Sequence, residues 1–224
     1  MYLTIGNVLS QTDLEAAQTL IAQLDWEDGA KTAGARARGV KRNEQANLAN
    51  PEGLKLVSLV RAALNTQAVF QAAARPRIIS KLLLSRTQDG GGYGAHVDNA
   101  LMGQAGAKFR SDLSFTLFLN DPDDYEGGEL SIDFPGGAQT VKLPAGDMVL
   151  YQSSLIHEVL PVTKGHRLAL VGWVESEIRD PFKREIMFDL DRIRLGFSSG
   201  TIADPERLLM DKVYSNLLRL WAGS

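Results

Sequence analysis

The chain has 224 residues, no cysteine, three histidines and a formal net charge of −3. That length supports one domain with a substantial core, and the lack of thiols excludes disulfides, cysteine-ligated zinc, iron–sulfur clusters and thiol nucleophiles. The slightly acidic balance disfavours nucleic acid as a partner, the N-terminus lacks a signal-peptide layout, and no apolar run approaches the ~20 residues of a membrane span; a soluble, cytoplasmic protein without a membrane partner is expected.

The first helix is announced by Ser10 or Thr12 as N-cap, Asp13 and Glu15 at the positive end of the helix dipole, and Leu14, Ala17, Ile21 and Leu24 at helical spacing. Residues 27–50 break that pattern and carry Lys31, Arg36, Arg38, Lys41 and Arg42 in a basic loop, a candidate lid on the substrate side. If it recruits substrate, an anionic partner is favoured. Asn50-Pro51 then restarts a helix, with Leu54, Val57 and Leu64 on its apolar face, and a shorter helix around 66–74 follows.

After Arg75-Pro76 the chain reads as short strands: 78–86, 93–98, 112–120, 128–134, 138–143, 147–151, 156–162 and 167–175. Leu113, Phe115, Leu117 and Leu119 alternate with more polar residues, as do Leu130, Ile132 and Phe134. Turn chemistry separates the strands at Asn120-Asp121-Pro122-Asp123, Pro135-Gly136-Gly137, Pro144-Ala145-Gly146-Asp147 and Lys164-Gly165. Strands at this spacing with no helices between them indicate a β-sandwich or barrel such as a jelly roll. The fold class is therefore mainly β with flanking helices.

Asp180-Pro181 and Asp204-Pro205 start two C-terminal helices, the last with an apolar stripe at Leu208, Leu209, Val213, Leu217 and Leu220. A helical pair docked on the barrel is the simpler reading, and a homodimer interface is the alternative. The expected organisation is residues 1–77 as N-terminal helices and basic loop packed on the core, 78–177 as the β core and 178–224 as a helical extension.

Within "GYGAHVDNALM" (92–102), His96 and Asp98 stand two positions apart. On a strand they share a face, about 7 Å apart. His157 lies in a later strand. Two imidazoles and one carboxylate match the facial triad of non-haem iron(II) oxygenases, which leaves coordination positions open. His166, in the expected turn beside Gly165, is not expected to be a ligand. Asp112, Asp133 and Asp147 are rival acids without a histidine two positions away.

Arg167 follows His157 by ten residues. If 156–162 and 167–175 form a hairpin, a three- or five-residue loop places Arg167 on the face of His157, whereas a two- or four-residue loop places it opposite. The five-residue case puts it about 13 Å from His157, a span that a metal, a five-carbon dicarboxylate and an arginine arm fill. The planar guanidinium grips a carboxylate at two points.

His96-x-Asp98, His157 and Arg167 together resemble the iron(II)/2-oxoglutarate dioxygenases on a double-stranded β-helix. The stretches "YGAHVDNALM", "RSDLSFTLFLNDPDDYEGGEL" and "LPAGDMVLYQSSLIHEVLPVTKGHRLALVGWVES", with "TAG" and "KRNEQ" in the early loop, resemble more closely the bacterial PKHD-type hydroxylases, relatives of the prolyl and lysyl hydroxylases. The resemblance covers nearly the whole chain. It implies that His96, Asp98 and His157 bind iron(II) and that Arg167 binds the distal carboxylate of 2-oxoglutarate. It further implies ascorbate as the reductant, and hydroxylation of a prime substrate by dioxygen with succinate and carbon dioxide as coproducts. That substrate is a peptidyl residue or a small molecule. Tyr93, Asn99 and Trp173 lie close to the ligands in sequence. A cupin-like metal-binding protein or isomerase is the rival class, and it gives no reason for an arginine at the dicarboxylate distance.

Overall fold

The computed structural model describes residues 1–32, 38–104, 106–197 and 204–223. In chain order the elements are β1 (Tyr2–Ile5), α1 (Gln11–Ile21), β2 (Trp26–Asp28), β3 (Lys41–Arg42), β4 (Glu44–Ala46), α2 (Pro51–Thr66) and α3 (Ala68–Ala74). Next come β5 (Pro76–Ile79), β6 (Leu83–Gln88), β7 (Gly92–His96), β8 (Leu101–Met102), β9 (Phe109–Arg110), β10 (Leu113–Phe118) and β11 (Tyr125–Gly127). The chain ends with β12 (Leu130–Phe134), β13 (Gly137–Val141), β14 (Met148–Gln152), β15 (His157–Val159), β16 (Val162–Ser176), α4 (Pro181–Phe197) and α5 (Asp204–Trp221).

The helix starts follow from local chemistry. Ser10, not Thr12, caps α1, its hydroxyl accepting from the Asp13 amide at 3.1 Å. Asn50 caps α2, its side-chain oxygen accepting from the Gly53 amide at 2.7 Å. The buried face of α2 is Leu56, Val60 and Leu64, whereas Leu54 is exposed. Asp180 accepts from the Phe182 and Lys183 amides at the start of α4. Each such cap contributes ~1 kcal/mol.

Two antiparallel sheets face each other as a double-stranded β-helix. The larger runs β1-β14-β10-β16-β6-β4-β2, with β5 and β11 also paired to β16. The smaller runs β13-β12-β15-β7-β3. The segment before residue 77, read from sequence as helices and loop, thus also supplies strands. β1, β2 and β3 are edge strands of two to four residues, too short to show alternation. The expected strand 78–86 is split, with β5 and β6 separated by residues 80–82.

On the larger sheet, alternate residues serve two compartments. Leu84, Leu113, Phe115, Leu117, Met148, Leu150, Leu170 and Val174 point away from the smaller sheet into a core completed by α1, α2 and α3. Ser85, Ser114, Thr116, Tyr151 and Arg167 point the other way, into the space between the sheets. One end of that space is closed by Phe118, Leu130, Ile132, Val141 and Val149.

The hairpin expected between 156–162 and 167–175 is absent. β15 sits in the smaller sheet between β12 and β7, whereas β16 sits in the larger one between β10 and β6. The chain crosses between sheets at Leu160-Pro161. Lys164-Gly165 is not a turn but lies inside β16, where Gly165 adopts φ 70° and pairs with Tyr125 of β11. A Cβ there would stand 2.2 Å from the Asp124 carbonyl oxygen, so the glycine serves a close strand approach.

Among the described residues no helix is long and apolar enough to cross a membrane. Residues 33–37, which hold Arg36 and most of the Thr32-Ala33-Gly34 motif, lie outside the described residues, as does the side chain of Arg38.

Candidate active site

His96 ends β7 and His157 begins β15, and the two are directly opposed in the strand register. Opposed side chains on neighbouring strands are ~5 Å apart at Cβ, and here the ring centroids are 4.3 Å apart. Asp98 lies just past the end of β7, not on the strand as its spacing from His96 predicts. Its carboxylate nevertheless turns to the same point, with Oδ2 3.7 Å from His157 Nε2. One ligand atom from each of the three residues lies within 4.8 Å of those of the other two.

Hydrogen bonds fix the tautomers. His96 Nδ1 is 2.8 Å from the Gly94 carbonyl oxygen and His157 Nδ1 is 3.0 Å from that of Leu155. A carbonyl only accepts, so each Nδ1 carries the proton and each Nε2 presents its lone pair. Burial and the neighbouring His157 lower the His96 pKa, keeping that ring neutral. Tyr93 stacks on His96 with centroids 3.7 Å apart and planes 20° apart, and Tyr151 meets His157 edge-on at 5.1 Å. The donor set of two imidazoles and one carboxylate suits a divalent transition metal.

These three side chains open onto a cavity of about 760 Å³ between the sheets. Arg167 enters it from β16, from the opposite sheet, so the separation expected along a hairpin has no counterpart. Only 2% of Arg167 is exposed, yet Nε and Nη2 have no hydrogen-bond partner. Its guanidinium lies 5.2 Å from the Phe118 ring centroid, with Tyr125 and Tyr151 nearby. Burial lowers its pKa. A buried guanidinium with orphaned donors is suited to an incoming carboxylate.

The other sequence candidates separate cleanly. Trp173 lines the cavity with an unpartnered, buried Nε1, and Asn99 lines its rim. His166 is exposed on β16 and absent from the triad. Asp112 is bonded to Arg110, Asp147 accepts from the Asn7 amide, and Asp133 is exposed. Of the basic loop, Lys31 pairs with Glu27 at the surface, while Lys41 is buried and lines the cavity beside Tyr93. Sequence reasoning missed Ser114, Ser153, Asn43, Gln45, Ser85 and Thr87 as site residues. Their only signal is that polar residues in and beside these strands face inward, which alternation alone does not distinguish from facing solvent.

Comparison with known proteins bears on this geometry. Residues 82–175 match the model of the 2OG-Fe(II) oxygenase superfamily, a span that includes all four candidate residues. PKHD-type hydroxylases of Picosynechococcus sp. and Maricaulis maris are 47% and 46% identical over 222 residues, each across 99% of this chain and at least 99% of their own. The PKHD-type hydroxylase of Hyphomonas neptunium is 43% identical over 224 residues, covering 98% of this chain and 99% of its own. The chain belongs to the PKHD-type hydroxylases.

Solved structures agree on the fold of this hydroxylase. A prolyl hydroxylase from Trichoplax adhaerens superposes with a TM-score of 0.54 at 17% identity, over 79% of this chain and 84% of its own. HygX from Streptomyces hygroscopicus, with nickel and 2-oxoglutarate bound, gives 0.55 at 16%, over 79% and 84%. As a member of its family, the hydroxylase is an iron(II)- and 2-oxoglutarate-dependent dioxygenase that uses dioxygen and releases succinate and carbon dioxide. The cupin-like alternative without oxygenase activity is set aside by this family membership.

Proposed function

We propose that His96, Asp98 and His157 hold the iron(II) of this dioxygenase and that Arg167 holds the distal carboxylate of 2-oxoglutarate. The observation that carries the reading is the convergence of three ligand atoms within 4.8 Å, in one cavity with a buried guanidinium whose donors lack partners. Iron(II), if bound there, would activate dioxygen, whose oxidising equivalents are shared between 2-oxoglutarate, oxidised to succinate and carbon dioxide, and the substrate C–H bond, converted to C–OH. The chain's own residues do the rest. The Gly94 and Leu155 carbonyls hold the two imidazoles in the ligating tautomer. Arg167 orients the cosubstrate from the opposite sheet, and the apolar end at Phe118, Leu130 and Ile132 keeps the cavity poor in water. Ascorbate is the reductant typical of this class.

The catalytic core spans residues 78–177, with 1–77 adding helices and further strands to it and 178–224 forming a helical extension. Its prime substrate is a peptidyl residue or a small molecule. A cytoplasmic location and a homodimer formed through α5 belong to the same proposal, and cell fractionation and sedimentation test them.

Anaerobic titration tests the assignment. Wild-type protein with iron(II) and 2-oxoglutarate should develop the weak visible charge-transfer band of a chelated 2-oxo acid. His96→Ala and Asp98→Ala should lose the band and succinate formation. Arg167→Ala should keep the metal but raise the half-saturation for 2-oxoglutarate by 10²-fold or more, the scale of losing a charge-assisted, two-point contact of ~3 kcal/mol. Turnover retained without His96 or Asp98 would refute the reading.

A further inference from the structure

We propose that Ser114 and Ser153 form a two-hydroxyl relay that positions the Asp98 carboxylate for metal binding. The inference rests on Asp98 being a ligand and concerns how it is held. Asp98 lies beyond the end of β7, so no strand pairing fixes its backbone. The terminal torsion of an aspartate is intrinsically broad. Among the described residues its carboxylate has one hydrogen bond, from Ser114 Oγ to Oδ2 at 2.6 Å. Ser114 Oγ is in turn 2.7 Å from Ser153 Oγ, and both serines are only 2% exposed.

The direction of the relay follows from donor counting. A carboxylate only accepts, so Ser114 spends its single proton on Asp98. The Ser114–Ser153 contact is then donated by Ser153. Each end is anchored. Ser114 sits in β10, inside the larger sheet between β14 and β16, in register with Tyr151 on one side and Trp173 on the other. The Ser153 amide donates to the Asp112 carbonyl oxygen at 3.2 Å. The histidines come from the smaller sheet, so the relay ties the third ligand to the larger one. With Oδ2 held by Ser114, one orientation of the carboxylate is selected, and its remaining lone pairs are left toward the two Nε2 atoms. Ser114 and Ser153 are positioning residues in this account, since neither is itself a ligand.

The experiment is anaerobic titration of metal-free protein with cobalt(II), read by its visible ligand-field spectrum, for wild type, Ser114→Ala, Ser114→Thr and Ser153→Ala. Thermal melts of the metal-free variants verify folding. Ser114→Ala should raise the cobalt(II) dissociation constant by about 10- to 100-fold, the usual cost of removing a partner behind a metal ligand, and should alter the spectrum. Ser114→Thr restores the hydroxyl and should return both toward wild type. Ser153→Ala should fall between, because Ser114 keeps its bond to Asp98 but loses the donor that orients it. A Ser114→Ala protein with wild-type affinity and spectrum would overturn the relay while leaving the triad intact. Should Ser114→Ala not fold, unchanged affinity in Ser153→Ala would overturn it equally. A wild-type protein that binds no cobalt(II) would instead fell the triad assignment, and the relay with it.

Discussion

An arginine sealed in a cavity without a counter-charge weakens the fold until an anion arrives. Arg167 is in that position, with two donor atoms unpartnered and only tyrosines and Phe118 around the guanidinium. Replacing buried charges with apolar groups of similar volume is often neutral or stabilising by ~1–4 kcal/mol. Arg167→Met should therefore melt at or above the wild-type temperature in the absence of ligands. 2-Oxoglutarate with a metal should raise the wild-type melting temperature but have little further effect on the variant beyond that of metal alone. A variant much less stable than wild type would mean that the guanidinium is structural. The spacing of His96 and Asp98 and the presence of His157 are visible as letters. The proof that each imidazole offers Nε2 is not, because it depends on the Gly94 and Leu155 carbonyls folding back onto Nδ1. Ser114 was invisible as a site residue, since a hydroxyl in an alternating strand reads the same whether it faces water or a carboxylate.

At the scale of elements, β10 shows why alternation reveals a strand but not what its two faces do. Leu113, Phe115 and Leu117 meet the helix-side core, and Ser114 and Thr116 line the site, so all six residues of the strand are buried. Gly165 marks the opposite failure. Lys164-Gly165 has turn composition, yet it lies within a 15-residue strand because β11 packs so closely there. The helices were more legible, since caps act locally and Ser10, Asn50 and Asp180 need no tertiary context. α5 stands apart. None of its described residues is buried, and Leu209, Val213 and Leu220, at helical spacing, are 59%, 42% and 70% exposed. It is tied to the body by polar contacts of Tyr214 with Arg75 and Asp191 and of Asp211 with Arg194. In folded proteins the packing of an apolar face supplies most of a helix's stability. The wild type should sediment at twice the chain mass, and Leu209→Glu/Val213→Glu at the single-chain mass with its helix content retained. A monomeric wild type would contradict the homodimer and leave the active site untouched.

Across the whole molecule, the site exists because two sheets with different tasks face each other. The smaller sheet opposes two histidines on adjacent strands, while the larger supplies Arg167 and the Ser114 hydroxyl from across the gap. The crossing at Leu160-Pro161 lets one short run of sequence, from His157 to Arg167, serve both sheets. The sequence carried the residues of that run but not its path, since a hairpin and a sheet-to-sheet crossing share the same turn-like composition. The most direct measurement is a crystal structure of the protein with manganese(II), which does not turn over the cosubstrate, and 2-oxoglutarate. The account predicts one ion bonded to Nε2 of His96, Nε2 of His157 and the carboxylate of Asp98, with the distal carboxylate of 2-oxoglutarate on the Arg167 guanidinium. An ion bound elsewhere, or a cosubstrate whose distal carboxylate leaves Arg167 uncontacted, would contradict it.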